Sequence, residues 1–321
     1  WLEIFKDAKD IGLKKVNMTG GEIFCRSDSI ELIKDTINMG LNVSIETNGT
    51  MITESQIKEL SQYKDNLSMS ISLDGITSET NNLTRGNGSF EKTFNTIKTI
   101  KKYNIPLRII TVLSDNNYDE IPKLAKTIHE ELGLGFRLLP NIIEYGKGVT
   151  ANDEYGVSYP KIKKLMDDFY YDFLRKHAED ENLTIELNMA IIPIDIYRHS
   201  FCPWGKAMLG IGYSGNVALC HVASDNDMFI FDNVKNNKIS DIWKYNKKLL
   251  KFVNENPDDL KGVCGNCLAR SLCRGGCRLH AMSKYLGDFY APDPDCQKVY
   301  DIGMFPEYAL DDVEKVCNYE K

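Results

Sequence analysis

Residues 14–22, Lys14-Lys15-Val16-Asn17-Met18-Thr19-Gly20-Gly21-Glu22, run a short strand candidate, Lys15–Met18, straight into a threonine, two glycines and a carboxylate. The same arrangement recurs down the first half of the chain. Further strand candidates, Val43–Glu46, Leu67–Leu73, Leu107–Leu113 and Gly135–Leu138, alternate with Ser27–Met39, Glu54–Tyr63, Ser89–Tyr103 and Tyr118–Leu132, whose apolar residues have helical spacing. Strands parted by helices of this length predict parallel βαβ units and an α/β sheet, open or closed. Ligands of such sheets sit at the carboxyl ends of the strands. Those ends read Thr19-Gly20-Gly21-Glu22, Thr47-Asn48-Gly49, Asp74-Gly75 and Ser114-Asp115-Asn116-Asn117. Any one of them could be a plain turn, since Gly, Asn and Asp favour turns. Their recurrence along one rim predicts a ligand mouth.

The 321 residues, 42% hydrophobic and 26% charged, suffice for two packed units. A formal net charge of −7, with lysines interleaved among acids, argues against a nucleic-acid surface, which needs a clustered basic footprint. No run of 18 apolar residues and no signal-peptide pattern appear, so no membrane association is expected and the cytoplasm is the expected compartment. The chain opens at Trp1 inside an amphipathic stretch, Trp1–Ile11, with Leu2, Ile4, Phe5, Ala8 and Ile11 roughly on one face. Further sequence is expected upstream.

Nine cysteines are distributed unevenly: Cys25 alone, seven from Cys202 to Cys296, and Cys317 in the tail. That shift marks a boundary, and the expected organisation is an α/β unit over 1–150, a helical bridge over 151–198 and a cysteine-rich domain over 199–321. In the bridge, Tyr159 to about Ala178 reads as helix, with Phe169, Tyr170, Tyr171 and Phe173 as core. The cysteine spacing is Cys202-x12-Gly215-x4-Cys220, then Cys264-x2-Cys267-x5-Cys273-x3-Cys277, then Cys296. A reducing compartment disfavours disulfides and leaves metal chemistry. Cys264, Cys267, Cys273 and Cys277 could make a four-thiolate zinc site. Iron–sulfur clusters are the other reading, in which Gly275-Gly276 lets the backbone wrap bulky sulfide. Leu209–Tyr213 and Val217–Leu219 read as a hairpin about Gly215-Asn216 that presents Cys220.

Gly20-Gly21-Glu22 resembles the Gly-Gly-Glu-Pro motif of radical SAM enzymes, with Ile23 in place of the proline. Thr47-Asn48-Gly49, Ser70-Ile71-Ser72-Leu73-Asp74-Gly75 and Arg85-Gly86-Asn87-Gly88-Ser89-Phe90 resemble the same family in order and spacing. The resemblance implies a partial (β/α)6 barrel lacking its first strand, followed by a small irregular α+β domain. It also implies S-adenosylmethionine (SAM) bound by Gly20, Gly21, Glu22 and Asn48, with Ser72 near the ribose and Arg85 on the carboxylate. A carboxylate suits the SAM ammonium, and Arg can hold a carboxylate bidentately. The family's Cys-x3-Cys-x2-Cys loop, which holds the SAM-cleaving 4Fe–4S cluster, is absent, and its place in the family lies upstream of Trp1. The cluster is therefore expected only in a full-length parent, and the chain alone is expected to be inactive. Cys25 is expected to be a buried free thiol.

The seven later cysteines resemble the SPASM pattern. That likeness implies two auxiliary 4Fe–4S clusters: Cys264, Cys267, Cys273 and Cys296 on one, auxiliary II, and Cys202, Cys220 and Cys277 on the other, auxiliary I. The family suggests modification of a ribosomally made peptide, leader plus core, by thioether or other crosslinking, with ferredoxin or flavodoxin as electron donor. The alternatives are side-chain oxidation of the anaerobic sulfatase-maturase kind, and a catalytically silent iron–sulfur or zinc module. In the maturases an aspartate proposed as the base follows the second framework cysteine; here His221 stands there, a candidate base or a hydrogen-bonding neighbour of the cluster.

Overall fold

The computed structural model describes residues 1–140, 142, 145–177, 179–185 and 202–311. The chain divides into two compact units. The first comprises Trp1–Asn141, Phe169–Ile185 and Lys238–Ser240, and the second comprises Ile142–Asp168, Glu186–Asn237 and Asp241–Lys321. The stretch read as a bridge is thus divided between them.

In the first unit six parallel strands follow one another in sequence order: β1 (Lys15–Met18), β2 (Asn42–Thr47), β3 (Leu67–Ser72), β4 (Leu107–Val112), β5 (Gly135–Leu139) and β6 (Leu183–Ile185). Sequential order is the order of an α/β barrel wall, whereas doubly wound sheets reverse direction. The register lines up Thr47, Ile71, Ile109, Phe136 and Leu183 across five strands. Along β3, Leu67, Met69 and Ile71 are buried in alternation, the period of a pleated strand. Helix α1 (Leu2–Asp10) precedes β1, and α2 (Ser29–Asn38), α3 (Glu54–Leu60), α4 (Ser78–Arg85), α5 (Ser89–Lys102) and α6 (Ile121–Lys126) lie between the strands. Their buried residues, among them Ile33, Ile57, Leu60, Ile97, Ile100 and Leu124, complete the core, each burial contributing about 1.5–3 kcal/mol. The start of α3 is written locally, because Thr53 and Gln56 form a reciprocal capping box. Among the elements that the sequence reading did not anticipate are α4, the short β6, and α7 (Lys147–Tyr155).

The expected long helix is α8 (Tyr159–Phe169) followed by a π-turn, Tyr170–Leu174. Phe169 and Phe173 are buried as expected, whereas the side chains of Tyr170 and Tyr171 lie outside the described residues.

In the second unit the expected hairpin forms from β7 (Gly210–Ile211) and β8 (Asn216–Ala218), extended by a third antiparallel strand, β9 (Ile230–Asn233). Phe252 packs on Phe229, Phe231 and Phe289 with ring centroids 4.8–6.1 Å apart. Helices α9 (Ile239–Tyr245), α10 (Lys247–Asn254), α11 (Gly262–Gly265), α12 (Arg270–Cys273), α13 (Arg278–Lys284) and α14 (Pro294–Asp301) complete the chain. Elements this short need something besides a hydrophobic core to hold them, and the cysteines are where they converge.

Candidate functional site

In the first unit the residues expected to bind SAM stand at the carboxyl ends of β1 to β3. Gly20 has φ +125°, a region that L side chains rarely adopt, so its requirement for glycine is conformational. One Glu22 oxygen accepts from Phe24 N at 3.2 Å and Thr47 Oγ1 at 2.8 Å, and the other accepts from Asn48 N at 2.9 Å. These bonds tie the end of β1 to the end of β2 and use three of about four acceptor sites on the carboxylate. The Asn48 side chain accepts from Thr50 N at 2.8 Å, closing its own turn. Ser72 is the last residue of β3 and is half-buried.

Arg85, at the end of α4, donates from Nε to Asp74 Oδ2 at 2.6 Å. Asp74 is buried, and its other oxygen accepts from Val112 N at 3.0 Å. The sequence reading placed Asp74-Gly75 on the ligand rim but missed its pairing with Arg85. Cys25 ends the 3-10 turn Ile23–Cys25 and is exposed, correcting the expectation of a buried thiol; the turn that Glu22 caps carries it outward.

In the second unit Cys264, Cys267, Cys273 and Cys296 line one small open cavity together with Val263, Arg270, Gly275 and Phe305. Each arrives on its own local device. Cys264 rides on α11, and Cys267 follows one turn on, with its N–H on the Cys264 carbonyl. Cys273 closes α12, and Cys296 sits in the first turn of α14. Asp293 caps α14, accepting from Asp295 N and Cys296 N at 3.1 and 3.0 Å, and its own N–H donates to Cys264 Sγ at 3.2 Å. Gln297 accepts from Val263 N at 2.9 Å, locking α14 to α11. Gly276 has φ +67°, and a Cβ there would run into the Asp293 carboxylate. Arg278 is buried and donates to the carbonyls of Phe289 and Ala291, each at 2.8 Å, and to that of Gly275. The sequence reading missed Asp293 and Arg278, although Asp293-Pro294 is a recognisable helix start.

Cys277, which precedes α13, faces a different group. Its thiol is pushed up to about 12, chiefly by burial, with Asp293, Cys220 and Cys202 adding to the shift. Cys202 is exposed and Cys220 half-buried, so this group is the more open of the two. Beside Cys202, the Trp204 ring stacks under the Arg274 guanidinium at 3.8 Å. His221 is exposed beside Cys220, and its carbonyl accepts from Ser224 Oγ at 2.9 Å. Cys317 lies outside the described residues.

Burial also raises the thiols of Cys264, Cys267 and Cys296, and that of Cys273 to about 11. The Asp293 carboxylate adds to the rise at Cys264, Cys273 and Cys296, and the Arg278 guanidinium opposes it at Cys264 and Cys273. Without metal these are neutral thiols, and a metal must displace their protons. Among the described residues no three cysteine sulfurs lie within 4.8 Å of one another. Four thiolates on one zinc, at about 2.3 Å each, would stand about 3.8 Å apart. The wider spacing fits thiolates on the corners of a cuboidal cluster better than a single ion. None of the eight described cysteines forms a disulfide.

Residues 1–128 match the family model of the radical SAM superfamily, and residues 202–268 match that of SPASM, an iron–sulfur cluster-binding domain. The chain thus carries a radical SAM domain over residues 1–128 and a SPASM domain over residues 202–268. Within that class it is 26% identical over 310 residues to the PqqA peptide cyclase of Rhizobium meliloti, covering 92% of this chain and 77% of that protein. It is also 26% identical over 248 residues to the AdoMet-dependent heme synthase of Methanosarcina barkeri, covering 70% of this chain and 66% of that one. The chain thus spans about two thirds to three quarters of the length of these two relatives. Among solved structures, Streptococcus suis SuiB bound to the precursor peptide SuiA shares the fold at TM-score 0.71 and 20% identity, over 92% of this chain and 68% of that one. Native anSMEcpe with bound AdoMet does so at 0.68 and 18%, over 94% and 85%. No helix among the described residues is long and apolar enough to cross a membrane.

Proposed function

We propose that this chain belongs to a radical SAM enzyme that crosslinks a ribosomally made peptide, with thioether formation as the leading case, and that it carries two auxiliary 4Fe–4S clusters. The observation behind this reading is the gathering of Cys264, Cys267, Cys273 and Cys296 around one cavity while Cys277 joins Cys202 and Cys220 in a second, more open group. The likeness to the peptide cyclase covers 92% of the chain, against 70% for the heme synthase, which favours a peptide as substrate.

In this reading Glu22 offers its remaining acceptor site to the SAM ammonium, held in place by Thr47 and Asn48. Gly20 and Gly21 leave open space for the ligand to approach the backbone. Ser72 lies near the ribose, and Arg85 takes the SAM carboxylate while Asp74 keeps its guanidinium aimed. SAM and the clusters, when bound, supply radical and electron-transfer chemistry, with reducing equivalents from a cytoplasmic ferredoxin or flavodoxin. Cys25 is the sole cysteine before Cys202. The 321-residue chain by itself therefore holds no three-thiolate site in its first half and does not cleave SAM.

Three cysteines in the open group leave one iron of auxiliary I available to a substrate thiolate, whose pKa a metal lowers. That availability favours sulfur–carbon bond formation over oxidation of a single side chain, for which the exposed His221 is the candidate base. The test is the EPR signal of the reduced cluster protein with a cysteine-containing peptide and with its serine counterpart. A change with cysteine alone supports the reading. Indifference to both peptides, or Cys317 found on the fourth iron, would overturn it.

A further inference from the structure

In the first unit, at the end of the sheet opposite Glu22 and Asn48, two π-turns bring His129 and His177 together. Thr127–Glu131 continues α6 ahead of β5, and Tyr170–Leu174 continues α8 ahead of β6. Such turns recur at functional positions. The His129 and His177 rings meet edge to face with centroids 4.7 Å apart, and both pack on Phe173.

The hydrogen bonds assign the ring nitrogens. His129 Nδ1 lies 3.2 Å from the Leu134 carbonyl, which can only accept, so Nδ1 carries the proton. That leaves Nε2 with a lone pair, and it faces Asp180 Oδ2 at 3.2 Å. Two acceptors so placed require a proton or a cation between them. His177 Nε2 lies 2.9 Å from Glu130 Oε1, and an ionised carboxylate can only accept, so this ring too donates outward. One metal ion would satisfy the inward-facing lone pairs of both rings and the Asp180 carboxylate together.

Ligand atoms of His129, His177 and Asp180 all lie within 4.8 Å of one another. The 3.2 Å between His129 Nε2 and Asp180 Oδ2 is close to the separation of about 3.3 Å between neighbouring ligands on a tetrahedral ion with bonds of about 2.0–2.1 Å. A backbone carbonyl on one imidazole and a carboxylate on the other form the outer shell that fixes the tautomer of metal-bound histidines. We propose that His129 Nε2, Asp180 Oδ2 and the remaining ring nitrogen of His177 form a site for one divalent transition metal of the zinc type, with Glu130 and the Leu134 carbonyl as outer partners. Two imidazoles and one carboxylate select zinc, cobalt or nickel over magnesium and calcium. The role is structural. Leu134 immediately precedes β5, and the Asp180–Leu183 turn leads into β6, where Asn182 O accepts from Phe136 N at 2.8 Å. An ion here fastens the three-residue strand β6 to the sheet.

The experiment uses the full chain after iron loading, so that the clustered cysteines are occupied. Zinc ion is added, excess is removed by gel filtration, and zinc content, the zinc K-edge spectrum and the melting temperature are measured for the parent, His177→Gln and Asp180→Asn. The expected result is about one zinc per chain with a nitrogen and oxygen shell, and a melting temperature that rises with zinc. Both variants should bind zinc at least about tenfold more weakly, while retaining the parent's iron content and zinc-free melting temperature. No retained zinc, sulfur in the zinc shell, or equal zinc in the parent and both variants would overturn the proposal. Failure of the peptide-crosslinking reading would leave this result untouched, since the readout involves neither SAM nor peptide.

Discussion

The backbone N–H of Asp293 donates to the sulfur of Cys264 across 3.2 Å, while the Asp293 carboxylate caps the helix that carries Cys296. One residue thus fixes two cysteines 32 positions apart in the chain and places a buried negative charge beside both.

Asp293→Asn keeps a capping oxygen and the backbone N–H but removes the charge. The expected outcome is an unchanged iron content and a higher reduction potential for auxiliary II, followed by EPR-monitored redox titration. Asp293→Ala also loses the cap, at about 1 kcal/mol of stability in a denaturant titration. An unchanged potential in Asp293→Asn would separate Asp293 from that cluster.

Cys273→Ala and Cys277→Ala should behave as lesions in different sites despite lying four residues apart. Anaerobic reconstitution of the parent is expected to give about eight iron atoms, and each variant should lose about four. The double variant should lose them additively. Equal loss of all the iron in either single variant would indicate one shared site, and stoichiometric zinc without visible charge-transfer absorption would restore the zinc-ribbon reading.

The metal-free protein should weaken on the alkaline side. Burial raises the Cys273 and Cys277 thiols to about 11 and 12, so the unfolded chain, with thiols near pKa 8.5, releases its protons first. Stability is then full below about pH 8.5 and is lost as pH rises toward the folded values. Melting temperatures at pH 7 and 9.5 should diverge for the metal-free protein and much less after iron loading, because bound thiolates carry no proton to lose.

Arg85→Ala should leave the buried Asp74 with its bonds to Thr84 and Val112 but without its cation, at a stability cost of about 1–3 kcal/mol. SAM binding, followed by calorimetry, should weaken by about tenfold or more, and Arg85→Lys should recover it only in part, since an ammonium lacks the guanidinium fork. Unaltered SAM affinity in Arg85→Ala would remove Arg85 from the ligand site.

The 321-residue chain, incubated with SAM and a strong reductant, should form no 5′-deoxyadenosine above a cluster-free control. Product above that background would show a SAM-cleaving site that the cysteine count does not contain.

Sequence alone determined the elements whose information is local. β1 through β5 were legible within a residue or so at either end because runs such as Leu67–Ser72 alternate buried and half-buried residues over a full strand. The radical SAM and SPASM resemblances were legible because Gly20-Gly21-Glu22 and the cysteine spacing are signatures written along the chain, and the family models match over residues 1–128 and 202–268, the latter taking in Cys202, Cys220, Cys264 and Cys267. The strand β6 was not legible, since three residues carry too little period to register, and α4 was hidden by its polar face, in which Asn81 alone is buried.

Tertiary structure decided which groups meet. Nothing in the spacing of Asp74 and Arg85 says that one buried carboxylate aims that guanidinium, because the contact needs α4 to fold back over the end of β3. Cys273 and Cys277 are separated by one tight turn, yet that turn, with Arg274 and both following glycines at positive φ, sends one into the cavity of Cys264 and the other toward Cys202 and Cys220. His129, His177 and Asp180 looked unremarkable in the chain, and only the packing of the segments that lead into β5 and β6 brings their ligand atoms within 4.8 Å. Periodicity and spacing are properties of neighbours along the chain, whereas a site is made by residues that become neighbours only when distant segments pack.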